Sequence, residues 1–65
     1  MPTINVKGMS CQHCVASVTK ALEEVDGITE VKVNLQTGEV VYEEERPVPP
    51  ETVKQTIHKT GFEVV

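Results

Sequence analysis

Hydrophobic and polar residues alternate along three stretches of the chain, and this alternation predicts β-strands. The first stretch covers residues 3–7, and a short last strand is expected over residues 62–65. Val41 breaks the alternation of the third stretch and is expected to face outward. The apolar positions expected on the inner face of the sheet are, in chain order, Ile4, Val6, Val31, Val33, Leu35, Val40 and Tyr42.

Two other stretches place apolar residues three or four positions apart, which is the period of an amphipathic helix. The stripe of the first helix consists of Val15, Val18, Leu22 and Val25, and that of the second consists of Val53 and Ile57. Asp26-Gly27 predicts the end of the first helix, and Pro50 and Gly61 predict the start and end of the second. Residues 36–39 contain a glycine suited to a hairpin turn.

The predicted order of elements is strand, helix, strand, strand, helix, strand. This is the ferredoxin-like βαββαβ pattern of the α+β class, in one domain over residues 1–65. It predicts a four-stranded antiparallel sheet covered on one face by both helices. Residues 8–14, 36–39 and 59–62 then share one edge, which we call the upper edge, whereas the acidic run Glu43–Glu45 lies at the opposite, lower edge.

The composition argues against several classes of partner. Six basic and ten acidic residues give a net charge of −4, so no basic stripe exists to neutralise nucleic-acid phosphates. One tyrosine and one phenylalanine provide no platform on which bases could stack. No apolar run approaches the roughly 20 residues of a membrane span, and no secretory leader is visible. We therefore expect no nucleic-acid partner, no membrane insertion, and a cytoplasmic location in which thiols stay reduced.

Both cysteines occur in one seven-residue segment, Gly8–Cys14, with the sequence GMSCQHC. Cys11 and Cys14 lie where the first strand gives way to the first helix, and side chains three apart at a helix start can converge. Backbone N–H groups and the helix dipole favour thiolates at this position. The sequence therefore predicts two soft anions side by side on an exposed loop.

Several kinds of site could use such a pair. A disulfide closing so short a loop would stabilise the fold little. A structural zinc site normally has four ligands, and only His13 and His58 remain to complete one. The polar surroundings disfavour a buried inert pair, and a redox pair would need the surroundings of a thioredoxin-like fold. Two thiolates suit copper(I), so we favour a soft-metal site and keep the redox pair as the alternative.

The same segment resembles the G-M-x-C-x-x-C motif of heavy-metal-associated domains. The agreement extends to "DGI" before the second strand, "VNLQTGEV" at the hairpin and "GFEV" at the end, so it covers residues 3–65. Within that family the similarity is greatest to bacterial copper chaperones of the CopZ type. The resemblance implies that copper(I) is held by two cysteines and delivered to similar domains of copper-transporting P-type ATPases.

Site residues follow from the resemblance one position at a time. Cys11 and Cys14 match the metal ligands of the family. Met9 matches a methionine that packs inward, and we expect it to fill the core rather than bind metal. Phe62 occupies a position beside residues 8–14, which we call the metal loop. Bacterial chaperones often have tyrosine at this position, and the apolar ring of Phe62 could shield the ion. His13 is expected to be solvated, with auxiliary ligation in a copper-bridged dimer as the alternative.

Together these observations predict a carrier of copper(I) that is not an enzyme, monomeric without metal, with a copper-bridged dimer as one metal-bound form. Its expected partners are the metal-binding domains of copper-transporting P-type ATPases. A thiol redox protein, a mercury-binding domain and an ATPase-derived domain of the same fold remain alternatives. Lys7, Lys20 and Lys59 are expected at the upper edge, on the face that would dock a partner. Lys7 and Lys59 would offset thiolate charge and meet an acidic partner.

Overall fold

Four strands form one antiparallel sheet in the computed structural model, which describes residues 1–65. The strands lie in the order β2-β3-β1-β4 across the sheet. The elements are, in chain order, β1 (Thr3–Lys7), α1 (Gln12–Glu23), β2 (Ile28–Asn34), β3 (Glu39–Glu44), α2 (Pro50–Lys59) and β4 (Glu63–Val64). The predicted ferredoxin-like βαββαβ order is confirmed.

The register of the strands gathers the apolar side chains on one face of the sheet. Val40 of β3 pairs with Ile4 of β1 on one side and with Val33 of β2 on the other. Thr3 and Asn5 alternate with Ile4 and are exposed at the sheet surface. The core contains nine buried apolar residues from the strands, both helices and the connection before α2: Val6, Val18, Leu22, Ile28, Val40, Tyr42, Val48, Val53 and Ile57. Both helices therefore cover the same face of the sheet, as predicted.

The end of α1 differs from the prediction. The helix stops at Glu23, so Val25 lies in the following turn instead of on the helical stripe. The Val25 N–H bonds to the Leu22 carbonyl at 3.0 Å, an i to i+3 contact that tightens the chain as it leaves the helix. Val25 still packs against the core.

The hairpin between β2 and β3 also begins one residue earlier than predicted. Leu35 lies in the turn because the Asn34 side chain closes it: Asn34 Oδ1 accepts a hydrogen bond from the Gln36 N–H at 2.9 Å. This is an Asx turn, which competes with continued strand pairing. At the far end of β3, the strand includes Glu43 and Glu44, so most of the acidic run belongs to the strand where it reaches the lower edge.

Gly38 brings this hairpin into direct contact with β1. The Val6 N–H donates to the Gly38 carbonyl at 2.8 Å. A Cβ at Gly38 would lie 2.7 Å from the Val6 carbonyl oxygen, and the φ angle of +77° is one that L side chains rarely adopt. The hairpin therefore lies beside the end of β1 at the upper edge, as the topology predicts.

We expect Gly38→Ala to destabilise the protein by about 1–3 kcal/mol, because it adds a strained φ and a collision with the β1 backbone. Gly61→Ala is the matched control, since Gly61 also has a positive φ of +97° but a Cβ there would have no neighbouring atom within 4 Å. Urea unfolding with a common m value measures both. A loss at Gly38 no larger than that at Gly61 would contradict the close contact.

Candidate metal centre

The two cysteines lie on either side of the start of α1. Cys11 is the N-cap residue, with an extended backbone at φ −154° and ψ 170°. Its carbonyl accepts hydrogen bonds from the N–H groups of Cys14 at 3.1 Å and Val15 at 3.2 Å. These contacts form the first helical turn and bring residues 11 and 14 to the same side of the helix.

The two sulfur atoms are close but not bonded. Cys11 Sγ lies 3.1 Å from Cys14 Sγ, and both residues are free thiols. Cys11 is exposed, whereas Cys14 is half-buried. Nowhere in the structure do three or more histidine, cysteine, aspartate or glutamate side chains group together as a metal site. The centre therefore offers two protein ligands, which suits a soft ion of low coordination number and not structural zinc.

An ion held linearly between the thiolates requires a small adjustment. If the zinc–sulfur distance of about 2.3 Å is taken as a guide, the sulfurs would be about 4.6 Å apart, which is about 1.5 Å farther than the 3.1 Å in the structure. Cys14 belongs to the first turn of α1, so its backbone is fixed by helical hydrogen bonds. Cys11 precedes the helix and is exposed, so rotation of its side chain can provide most of the separation.

The surroundings of Cys14 favour its ionised form. A hydrogen bond from the Ser10 backbone N–H is the main cause that lowers the pKa of the Cys14 thiol, and a hydrogen bond with the Cys11 thiol adds to it. Partial desolvation opposes both effects without cancelling them. The loop before the helix thus prepares one thiolate at a pH lower than an ordinary cysteine needs.

The other predicted site residues occupy distinct places. Met9 is half-buried and packs against the core. His13 is exposed in the first turn of α1 and makes no side-chain hydrogen bond. Phe62 is half-buried beside the metal loop, with its Cδ1 3.3 Å from the position of a Cβ built on Gly8. The ring therefore lies against Gly8, the first residue of the segment that carries both cysteines.

The three lysines expected at the upper edge lie at different ends of the molecule. Lys7 ends β1 and Lys59 ends α2, so both lie at the upper edge with the cysteines. Lys20 lies in the last turn of α1, eight residues and about 12 Å along the helix from Gln12. The expectation that Lys20 lies at the upper edge is therefore wrong, because α1 runs away from that edge.

One contact at this edge was not predicted from the sequence. His58 Nδ1 lies 3.0 Å from Glu63 Oε1, across the turn that carries Phe62. In the sequence, His58 stands out only as a spare histidine. The feature of the sequence that could have indicated this contact is Gly61. Its positive φ angle folds the chain back between His58 and Glu63.

Neither helix combines the length and the apolar composition that crossing a membrane would require.

We expect alkylation of Cys14 by iodoacetamide to rise with pH around a midpoint below that of an unstructured cysteine peptide, because the lowered pKa keeps its thiolate populated as the pH falls. Mass spectrometry of the peptide containing Cys14 gives the rate. In Cys11→Ala the midpoint should rise but remain below the peptide value, since the Ser10 N–H is retained. A Cys14 midpoint equal to that of the peptide would contradict the assigned hydrogen bonds.

Comparison with known proteins gives a consistent family. The family model of the heavy-metal-associated domain matches residues 3–63. The copper chaperone CopZ of Staphylococcus aureus (strain MRSA252) is 41% identical over 63 residues, which cover 95% of this chain and 93% of the relative. A solved structure of a CopZ metallochaperone superposes with a TM-score of 0.93 at 38% identity, covering 98% of this chain and 97% of the other.

A second solved structure, of a copper-binding domain from HMA7, a P-type ATPase, superposes with a TM-score of 0.83 at 34% identity. It covers 97% of this chain and 86% of that chain. The prediction that this chain is not an enzyme is confirmed by its similarity to relatives named as copper chaperones. The chain belongs to the family of heavy-metal-associated domains.

Proposed function

We propose that this protein is a copper(I) chaperone in which Cys11 and Cys14 bind the ion and pass it to a metal-binding domain of a copper-transporting P-type ATPase. The observation that carries the proposal is a pair of free thiols, 3.1 Å apart, on an exposed edge with no third ligand. Thiolates select copper(I) over hard cations. The similarity to copper chaperones and to an ATPase domain supports both the metal and the partner.

Transfer follows from the low coordination number of the site. An incoming thiolate of the partner adds to bound copper as a third ligand, and one cysteine of the donor then leaves. A second incoming thiolate replaces the remaining cysteine, so the copper keeps its oxidation state and is never released as a free ion. The sequence of steps parallels thiol–disulfide exchange, with copper in place of the attacked sulfur. Because Cys11 is exposed, a partner thiolate can approach the site directly.

The charges at the upper edge suit this role. Two thiolates around one copper(I) carry a net charge of −1, which Lys7 and Lys59 partly offset. The same ammonium groups complement an acidic surface on a partner.

The proposed location is the cytoplasm, where cysteines stay reduced. Without metal the protein is a monomer, and a shared copper ion can bridge two copies into a dimer.

A thiol redox protein is the second candidate, because the sulfurs are within about 1 Å of the length of a disulfide bond. That function requires catalysed reduction of a substrate disulfide, which an insulin-reduction assay detects. A mercury-binding or ATPase-derived domain would share the two thiolates. Parallel titrations with mercury(II) and the sequence flanking these residues in the gene separate those alternatives.

Replacement of either ligand should abolish tight copper binding. We expect Cys11→Ser and Cys14→Ser each to lose more than about 100-fold in copper(I) affinity, exceeding the 10–100-fold typical of outer-shell changes. The fold should persist, since neither cysteine belongs to the buried core. Anaerobic titration against a competing chelator measures the affinity, with zinc titrated in parallel.

His13→Ala is the matched control for those variants, because His13 lies between the cysteines but is exposed and unbonded. Its affinity for one copper ion should equal that of the parent protein. Full-strength binding by either serine variant would contradict the two-ligand site, and tighter binding of zinc than of copper would contradict the choice of metal. Loss of a copper-bridged dimer in His13→Ala alone would assign His13 an auxiliary role.

Copper should reach a metal-free ATPase domain by direct exchange. We expect the transfer rate, followed by NMR of the labelled acceptor, to rise in proportion to the acceptor concentration. A rate independent of that concentration would show that free copper is released first. Lys59→Ala should slow transfer about two- to fivefold at low salt by weakening encounter with an acidic acceptor, whereas Lys20→Ala should leave it unchanged.

A further inference from the structure

His58 at the end of α2 and Glu63 at the start of β4 make a contact that the transfer mechanism does not use. The Glu63 carboxylate lies 3.0 Å from His58 Nδ1 and accepts a hydrogen bond from the ring N–H. Lys54, Lys59 and Glu51 line the same surface depression, and no third histidine, cysteine, aspartate or glutamate joins the pair to form a metal site. The pair is therefore an internal contact and not a second metal site.

This contact closes the turn between α2 and β4. The Gly61 N–H bonds to the His58 carbonyl at 3.0 Å, so the backbone of His58 already anchors the first half of the turn. The side-chain bond to Glu63 anchors the second half. Phe62 lies between the two anchored points and also packs against the core.

Phe62 in turn connects this turn with the metal loop. Its ring lies against Gly8, with Phe62 Cδ1 3.3 Å from a Cβ position there. Glu63 pairs with Lys7, the residue that precedes Gly8, across β1 and β4. Because Gly8 begins the loop that carries Cys11, a fixed Phe62 ring limits how far that loop can move outward.

We propose that the His58–Glu63 pair is a positioning device that holds Phe62 against Gly8 and so slows the exchange of copper at the two cysteines. The effect of this pair on copper exchange rests on the proposed function. An exposed pair of this type contributes little, so its loss accelerates exchange by about two- to fivefold. Binding and release pass through the same opening of the loop, so the equilibrium affinity for copper stays unchanged.

The positioning role is tested first without metal. In the reduced metal-free protein, the nuclear Overhauser effect between the Phe62 ring protons and the Gly8 α-protons reports their contact. We expect it to weaken in His58→Ala and in Glu63→Ala, and the double variant to match the single ones because the two residues act as a pair. Gln55→Ala, on the exposed side of α2 and without a side-chain hydrogen bond, should keep the parent value.

The exchange role is tested by mixing each copper-loaded variant with excess bathocuproine disulfonate in a stopped-flow instrument. We expect release about two- to fivefold faster in His58→Ala, Glu63→Ala and the double variant, with chelator-competition affinities equal to that of the parent. His58→Asn, whose amide can donate in place of the ring N–H, should restore the parent rate.

Either of two results overturns the proposal: an unchanged Phe62–Gly8 contact in the alanine variants, or an unchanged rate of copper release. Failure of the parent protein to bind copper would contradict the proposed function instead. In that case the metal-free measurement still decides whether the pair positions Phe62.

Discussion

Burial of one face of the sheet beneath two helices is the interaction on which the rest of the structure depends. The fully buried side chains are Val18, Leu22, Val40, Val53 and Ile57, and the buried set contains no polar or charged residue. A core of this kind owes its stability to apolar burial and not to a bound ion. The cysteines are therefore free of any structural task and can lie at an edge, where a ligand exchanges easily.

The edge itself is built by a change of backbone conformation. β1 ends at Lys7, α1 begins at Gln12, and the few residues between them supply free N–H groups at the helix start. One of these groups, at Ser10, stabilises the Cys14 thiolate. The same short connection thus ends a strand, starts a helix and places a thiol with a lowered pKa at the protein surface, without a pocket.

Much of this arrangement could be predicted from the sequence, because periodicity reports burial and spacing reports which side chains converge. Periodicity predicts the inner faces of the strands and helices, and spacing predicts that Cys11 and Cys14 converge. The ends of elements depend instead on local hydrogen bonds, such as those that Asn34 accepts in the hairpin, and periodicity carries no record of them. Lys20 was misplaced because its distance from the metal loop depends on the direction of α1, and the contact of His58 across its turn depends on the path of that turn.

The direction of the elements also separates charge along the molecule. α1 and β3 both end at the lower edge, where acidic residues outnumber Lys20 and Arg46: Glu23, Glu24, Asp26, Glu43, Glu44 and Glu45. At the upper edge, Lys7 and Lys59 accompany Glu39 and Glu63, so this end is close to neutral before the thiolates are counted. The protein therefore has an electric dipole, and a negatively charged surface would exert a torque that turns the cysteine end of the molecule toward itself before contact.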